Sequence, residues 1–249
     1  MNKTKIDWAD MTWNPVTGCL HDCEYCYARK IANRFGNKYF PYGEQINELD
    51  EPLDGEKGID VYPFGFLPTL HKYRLDEPSK IKKPQTIFVC SMADLFGEWV
   101  PDEWTNQVFD GCNKAPQHRY MFLTKNPKGL CSLANKKILP KQDNFWYGTT
   151  INTQKDVWYP GRVSDNVFLS IEPLMENLYA GIGSFGRAKW IIVGAETGNR
   201  KEKVLVQKEW VENIVETAKL TSASVFMKES LRLIMGNDFK QEFPWGEQT

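Results

Sequence analysis

What most constrains the fold is a unit that recurs along the chain: an apolar run of strand length, stopped by a polar tip and followed by a helical or loop segment. "TIFVCSMADLF" (86–96), "RYMFLTKNP" (119–127), "NFWYGTTIN" (144–152), "NVFLSIEPL" (166–174), "KWIIVGAETG" (189–198) and "ASVFMKES" (223–230) follow it, and "DMTWNPVTGC" adds a shorter piece near the start. Runs that are apolar throughout, rather than at alternate residues, suit strands covered on both faces, as in parallel sheets. The segments between them read as helices. "YARKIANRF" puts Tyr27, Ile31 and Phe35 at helical spacing, "PDEWTNQVFDGCNK" opens with Pro101 and Asp102, and "QKEWVENIVETAKL" aligns Val211, Ile214, Val215 and Ala218 on one stripe. This alternation predicts an α/β fold: a partial TIM-like barrel of six to seven βα units with parallel strands, and a cysteine-bearing loop after the first strand. A chain of 249 residues can form this as one domain, 1–249. Residues 36–84 break the rhythm; rich in Gly, Pro, Tyr and charge, they read as an irregular insertion.

In barrels and open α/β sheets, ligands bind at the carboxyl ends of the strands, so chemistry is expected where each run stops. There the sequence places Ser91 and Asp94, Thr124 and Lys125, Thr149 and Thr150, Ser170 and Glu172, then Gly194, Ala195, Glu196 and Thr197, and finally Lys228 and Glu229. Any one of them can be an ordinary loop or cap residue. Together on one rim they would form a polar mouth. "VGAETG" lacks the full G-x-G-x-x-G of a dinucleotide-binding turn and carries no such reading by itself.

Half of the six cysteines fall within eight positions: Cys19, Cys23 and Cys26, spaced C-x-x-x-C-x-x-C. Thiolates are soft ligands, suited to iron–sulfur clusters, zinc or copper(I). Clusters usually take four thiolates, so three leave one iron open, and an open position is where a substrate or cofactor binds. A helix beginning after Cys26 would turn its positive end toward an anionic assembly. With His21 the same loop offers a Cys3His set for zinc, cramped for one tetrahedral ion. Cys90 is the one distant candidate for a fourth ligand; Cys112 and Cys131 read as buried small residues.

Charge and hydropathy narrow the partners. With 31 Lys plus Arg against 32 Asp plus Glu, there is no basic excess to support generic nucleic-acid binding. The opening "MNKTKIDWAD" has no apolar secretory region, and no run reaches membrane-span length. A cytoplasmic protein with no membrane partner is expected, in a compartment where thiols stay reduced.

The cysteine spacing, with Tyr25 in the aromatic position before the last cysteine, resembles the C-x-x-x-C-x-aromatic-C motif of the radical SAM superfamily. More closely, "WNPVTGC…CEYCYA", "LTKNP", "SIEPL" and "FMKES" are similar to a phage-associated three-cysteine-motif family, related to radical SAM enzymes and of unestablished reaction. The resemblance spans most of the chain outside residues 36–84. It implies that Cys19, Cys23 and Cys26 hold a [4Fe–4S] cluster whose remaining iron chelates S-adenosylmethionine (SAM). Reductive cleavage of SAM would yield methionine and a 5′-deoxyadenosyl radical, which abstracts hydrogen from a small-molecule substrate, a nucleotide or a nucleic-acid base. An external one-electron reductant, flavodoxin or ferredoxin, is implied as partner. Among cofactor-binding residues the resemblance places Tyr25 near adenine or cluster, Thr149 and Thr150 at the ribose, and the Gly194 and Ala195 backbone at adenine. Ser91 and Asp94 stand where the superfamily often has a glycine-glycine-glutamate element, which this chain lacks. Lys125, Glu172, Glu196 and Lys228 are the implied catalytic residues, facing the substrate, with Glu172 at either ribose or substrate. The alternatives are an iron–sulfur electron-relay or binding protein that leaves SAM intact, and a zinc-stabilised interaction module.

Overall fold

Where the β-branched and aromatic runs lie, the chain forms strands. The structure, a computed structural model, describes residues 1–36, 45–55, 58–158, 163–178, 185, 187–198 and 200–246. It divides into two compact units, Met1–Phe145 and Trp146–Thr249.

The first unit contains, in chain order, β1 (Asn2–Lys3), β2 (Met11–Trp13), β3 (Val16–Thr17), α1 (Tyr27–Phe35), β4 (Asn47–Leu49), β5 (Asp54–Gly55), β6 (Gly58–Ile59), β7 (Thr69–His71), β8 (Thr86–Val89), α2 (Asp102–Asn113), β9 (Arg119–Thr124) and α3 (Pro127–Asn135). β2, β8 and β9 are parallel neighbours, with Trp13 opposite Val89 and Val89 opposite Phe122, while β1 runs antiparallel to β2. This register brings the residues that follow, Asn14, Ser91–Asp94 and Thr124–Lys125, out past the same strand ends. The strands are covered on both faces, as their unbroken apolar runs require: Trp13, Ile87, Tyr120 and Met121 are fully buried. From α2, Phe109 packs edge-on against Phe122 at 5.3 Å, and Phe122 stacks on Phe145 at 5.8 Å. Each such buried side chain stabilises the fold by about 1.5–3 kcal/mol.

Two local expectations are corrected here. On α1 the Tyr27, Ile31, Phe35 stripe faces outward, and the buried residues are Ala28 and Ala32. Small side chains let the helix approach Tyr62, Phe66 and Met92 closely, so size outweighed hydropathy in choosing the buried face. Residues 36–84, read as irregular, also contain regular pairing among the described residues. β3, β7 and β4 form a three-stranded sheet in that order, and β5 and β6 make a small hairpin. Strands of two or three residues give a periodicity test nothing to detect. Residues 37–44 and 56–57 of this segment lie outside the described residues.

This small sheet holds a buried histidine. His71 Nε2 pairs with Thr17 Oγ1 at 2.9 Å and Nδ1 with the Tyr73 hydroxyl at 3.1 Å. Burial, followed by the nearby Arg74 guanidinium, pushes its pKa down from 6.5 to about 3. The fold thus prefers the neutral ring, and the unfolded chain takes up the proton first. This contribution to stability is intact above pH 6.5 and is lost as pH falls toward 3. The slope reaches at most about 1.4 kcal/mol per pH unit. Urea-unfolding free energies measured across that window should decline accordingly, and His71→Gln should remove that part of the slope; an identical slope in the variant would discount His71.

The second unit carries β10 (Phe145–Thr150, whose first residue closes the first unit), β11 (Val167–Ile171), β12 (Trp190–Val193), α4 (Lys208–Thr221), β13 (Ser224–Met227) and α5 (Arg232–Met235). β10 to β13 pair in sequence order, all parallel, with Thr150 opposite Ser170, Ser170 opposite Ile192 and Val193 opposite Met227. Gly148 makes room for a ring: a Cβ there would stand 2.3 Å from Phe168. α4 buries Val211, Ile214 and Ala218 as its stripe predicts, with Val215 half-buried, and ends at Ser222 in the left-handed region, φ 56°. Trp190 anchors an aromatic cluster with Phe226, Phe243 and Trp245, its indole donating to the Glu242 carbonyl at 2.8 Å. Among the described residues no helix is long and apolar enough to cross a membrane.

Candidate functional site

The three cysteines lie on a loop built to hold one shape. It leaves β3, not the parallel strand β2, through Gly18 at φ 87°, where a Cβ would sit 2.2 Å from the Leu67 carbonyl oxygen. Only glycine accepts both the dihedral and the approach. Gly18 N donates to Met92 O at 2.9 Å and Cys19 N to Phe66 O at 3.2 Å, tying the loop to the end of β8 and to the 36–84 segment. Asp22, at φ 55°, turns the chain, and Cys26 N closes back on Cys23 O at 3.1 Å. Cys26 then caps α1, its Sγ accepting from Arg29 N at 3.3 Å. Cys19 and Cys26 pack on Ala28, Ala32, Tyr62, Phe66 and Met92.

All three thiols are free and half-buried. Burial pushes Cys19 up to about 12 and raises Cys23, against which Lys125 and then Arg29 act as opposing positive charges. Cys23 and Cys26 add to the rise at Cys19, and Cys26 to that at Cys23, so the three stand within electrostatic reach. Among the described residues no group of three His, Cys, Asp or Glu side chains is gathered tightly enough for a single metal ion. His21, the fourth donor of the zinc alternative, is turned away to Asp94 Oδ2 at 2.7 Å and lies edge-on to Trp99 at 4.9 Å. That contact occupies Nε2, leaving Nδ1 as the ring nitrogen a Cys3His set would have to use.

Asp94 fastens this assembly. Buried to 4% exposure, its Oδ1 accepts from Thr124 Oγ1 at 2.7 Å and Phe96 N at 3.1 Å, its Oδ2 from His21 and from Lys125 N at 2.8 Å. A carboxylate has about four acceptor positions, and here all are used. The structure therefore places Asp94 as a tie between the cysteine loop and the end of β9. Lys125 Nζ donates to Tyr25 OH at 2.8 Å and stands 5.1 Å from that ring's centre, so the expected cofactor residue and the expected substrate residue meet beside Cys23. Ser91 Oγ donates to Asn14 Oδ1 at 3.2 Å, and the Ser91 carbonyl accepts from Tyr27 OH at 2.8 Å. Asn14, Arg29 and Trp99 were missed by sequence reasoning. Asn14 obeys the strand-tip rule already applied elsewhere, and Arg29 lies three residues past Cys26 on the first turn of α1. Cys90 is buried with its pKa pushed up to about 12 by desolvation, and its thiol neighbour is Cys112.

The remaining expected residues belong to the second unit, where three strand ends meet. Lys228 Nζ pairs with Glu172 Oε1 at 3.1 Å, and Gly194 makes this possible: a Cβ there would stand 2.8 Å from Lys228 Cγ and 3.4 Å from Glu172 Cγ. Ala195 N donates to Ser230 Oγ at 3.0 Å, so that amide is already engaged. Glu196 is gripped by Arg200 through two bonds of 2.7 Å. Thr149 and Thr150 are buried within β10.

Residues 3–233 match the family described as "Protein of unknown function (DUF5131)". The chain belongs to that family. No curated protein matches it. Among solved structures it is similar to spore photoproduct lyase complexed with dinucleoside spore photoproduct, with a TM-score of 0.57 at 10% identity over 91% of this chain and 78% of that one. A tyrosine-to-phenylalanine variant of the same lyase gives a TM-score of 0.55 at 9% identity over the same shares. At such identity the likeness is one of fold. This chain thus shares an α/β architecture with an enzyme of quite different sequence.

Proposed function

We propose that this chain is a radical SAM enzyme that binds a [4Fe–4S] cluster through Cys19, Cys23 and Cys26 and acts on a small molecule, nucleotide or nucleic-acid base. The observation that carries the reading is the cysteine loop itself, fastened at the ends of parallel strands and flanked by buried donors with no acceptor. These are Arg29 Nε and, beside His21, Trp99 Nε1. Buried unpaired donors are rare in folded proteins, and an anionic, sulfur-rich group is an acceptor suited to both. The donor set suits such a group, which is larger than a single ion: three thiols within electrostatic reach of one another, a helix N-terminus, and the positive charges of Lys125 and Arg29. The fold of spore photoproduct lyase, a radical SAM enzyme, supports the same class, and the dinucleoside ligand named with it supports a nucleotide-like substrate. The partial barrel and the kinship with the phage-associated family belong to this proposal.

Once bound, cluster and SAM supply one-electron reductive cleavage of the sulfonium, with the electron drawn from an external flavodoxin or ferredoxin. The chain's own residues hold and shield. Cys19, Cys23 and Cys26 bind the irons, and Asp94 keeps their loop against β9 through His21. Lys125, resting on Tyr25, presents a cation beside Cys23 to an anionic group of SAM or substrate. Ser91, Thr149, Thr150, Gly194 and Ala195 are proposed toward SAM, and Glu172, Glu196 and Lys228 toward the substrate. Lys228 and Glu172 stand as an ion pair at 3.1 Å.

A second reading has one observation in its favour. Asp94 occupies the position of the missing glycine-glycine-glutamate element and has no acceptor left for a methionine amino group. That suits an iron–sulfur relay that leaves SAM intact. Electron paramagnetic resonance on anaerobically reconstituted, dithionite-reduced protein separates the two. A cluster signal that changes on adding SAM, with methionine released, supports the enzyme. A signal indifferent to SAM supports the relay, and stoichiometric zinc without any cluster overturns both.

A further inference from the structure

We propose that Arg29 donates its Nε–H to a sulfur of the cluster held by Cys19, Cys23 and Cys26, and thereby sets how readily that cluster is reduced. The inference rests on the cluster reading above and concerns what this chain adds to it. Arg29 is fixed on three sides within the cysteine loop. Its Nη1 meets Asp22 Oδ1 at 2.6 Å, its Nη2 reaches the Cys19 carbonyl at 3.5 Å, and its guanidinium lies 5.4 Å from the Phe66 ring centre. Its backbone amide donates to Cys26 Sγ, and its charge pulls on Cys23. One donor is left over: Nε is buried and has no partner.

A solvating or purely structural arginine would not be arranged this way. Asp22, which accepts from Nη1, is 83% exposed, so water screens and weakens that ion pair. The contacts fix the guanidinium plane, and a fixed plane fixes the direction of the fifth N–H. A buried donor without an acceptor is costly, and a thiolate or sulfide in this loop would relieve it. Hydrogen bonds to cluster sulfurs, and positive charge beside them, stabilise the more negative, reduced state and raise the reduction potential. Arg29 is thus a positioning and tuning residue; it touches neither SAM nor substrate in this account.

The test uses the full-length reconstituted protein without SAM. In wild-type protein carrying arginine labelled with nitrogen-15 at Nε, pulsed EPR of the reduced cluster should show a coupled nitrogen-15, absent in Arg29→Lys. In an EPR-monitored redox titration, Arg29→Gln should be reduced at lower potential than wild type. Arg29→Lys, which keeps the charge and loses the Nε–H, should fall between. A wild-type cluster with no coupled nitrogen-15 overturns the proposal even if Arg29→Gln fails to fold, as does an Arg29→Gln cluster at the wild-type potential. A wild-type protein that assembles no cluster overturns the cluster reading and the inference with it.

Discussion

Replacing Cys23 with alanine is expected to abolish the cluster while leaving the fold standing. Of the three cysteines, Cys23 gives the cleanest test. Cys19 and Cys26 both pack on the core around Phe66 and Met92, and Cys26 also caps α1. Their loss would mix ligand removal with damaged packing. Cys23 is absent from that core and half-exposed, so removing its sulfur should change unfolding free energy by no more than about 0.5 kcal/mol. After anaerobic reconstitution, the variant's bound iron and sulfide should drop to background and its reduced-state EPR signal should vanish, with circular dichroism unchanged. A Cys23→Ala protein that retains a full iron complement would end the three-thiolate reading.

Asp94→Ala is the substitution expected to cost the most stability. It strands four donors at once: the Thr124 hydroxyl, the amides of Phe96 and Lys125, and the His21 ring. With Asp94 at 4% exposure, little water reaches them. Each stranded buried group costs about 1–3 kcal/mol, and partial relaxation of the loop recovers some of that, so a net loss of about 4 kcal/mol is expected. Asp94→Asn should lose about half as much, because an amide oxygen still accepts while its nitrogen repels the donors facing it. Urea denaturation measures both. The loop released from β9 should also bind cluster poorly, so iron content should fall with stability. A cost below about 1 kcal/mol for the alanine variant would show that Asp94 is a bystander, not the tie between loop and sheet.

The strands were readable because each buried one is a local signal: a run of four to six residues, mostly β-branched, aromatic or otherwise apolar, does not need the rest of the chain to be recognised. α4 was readable for the same reason, its stripe being long enough to average out exceptions. α1 misled because its largest apolar residues sit on the face away from the core, and the core wanted alanine there. The sheet formed by β3, β7 and β4 was invisible because each strand is too short to carry a pattern. The three cysteines proposed as ligands stood out by their spacing, but the loop's supports did not. Asp94 lies 73 residues from His21 and 31 from Lys125, and nothing in the local sequence says which partners a strand-end carboxylate will find. Arg29 carries even less local signal: one arginine on a short basic helix looks like a solvated residue until its surroundings are seen.

The order in which these contacts occur along the chain has a consequence for biosynthesis. The loop's ligands and every support described for it, from Asn14 through Phe66, Met92, Asp94 and Thr124 to Lys125, precede Asn126. A ribosome reading from the amino end therefore delivers the whole cradle for the thiols before any strand of the second unit has been made.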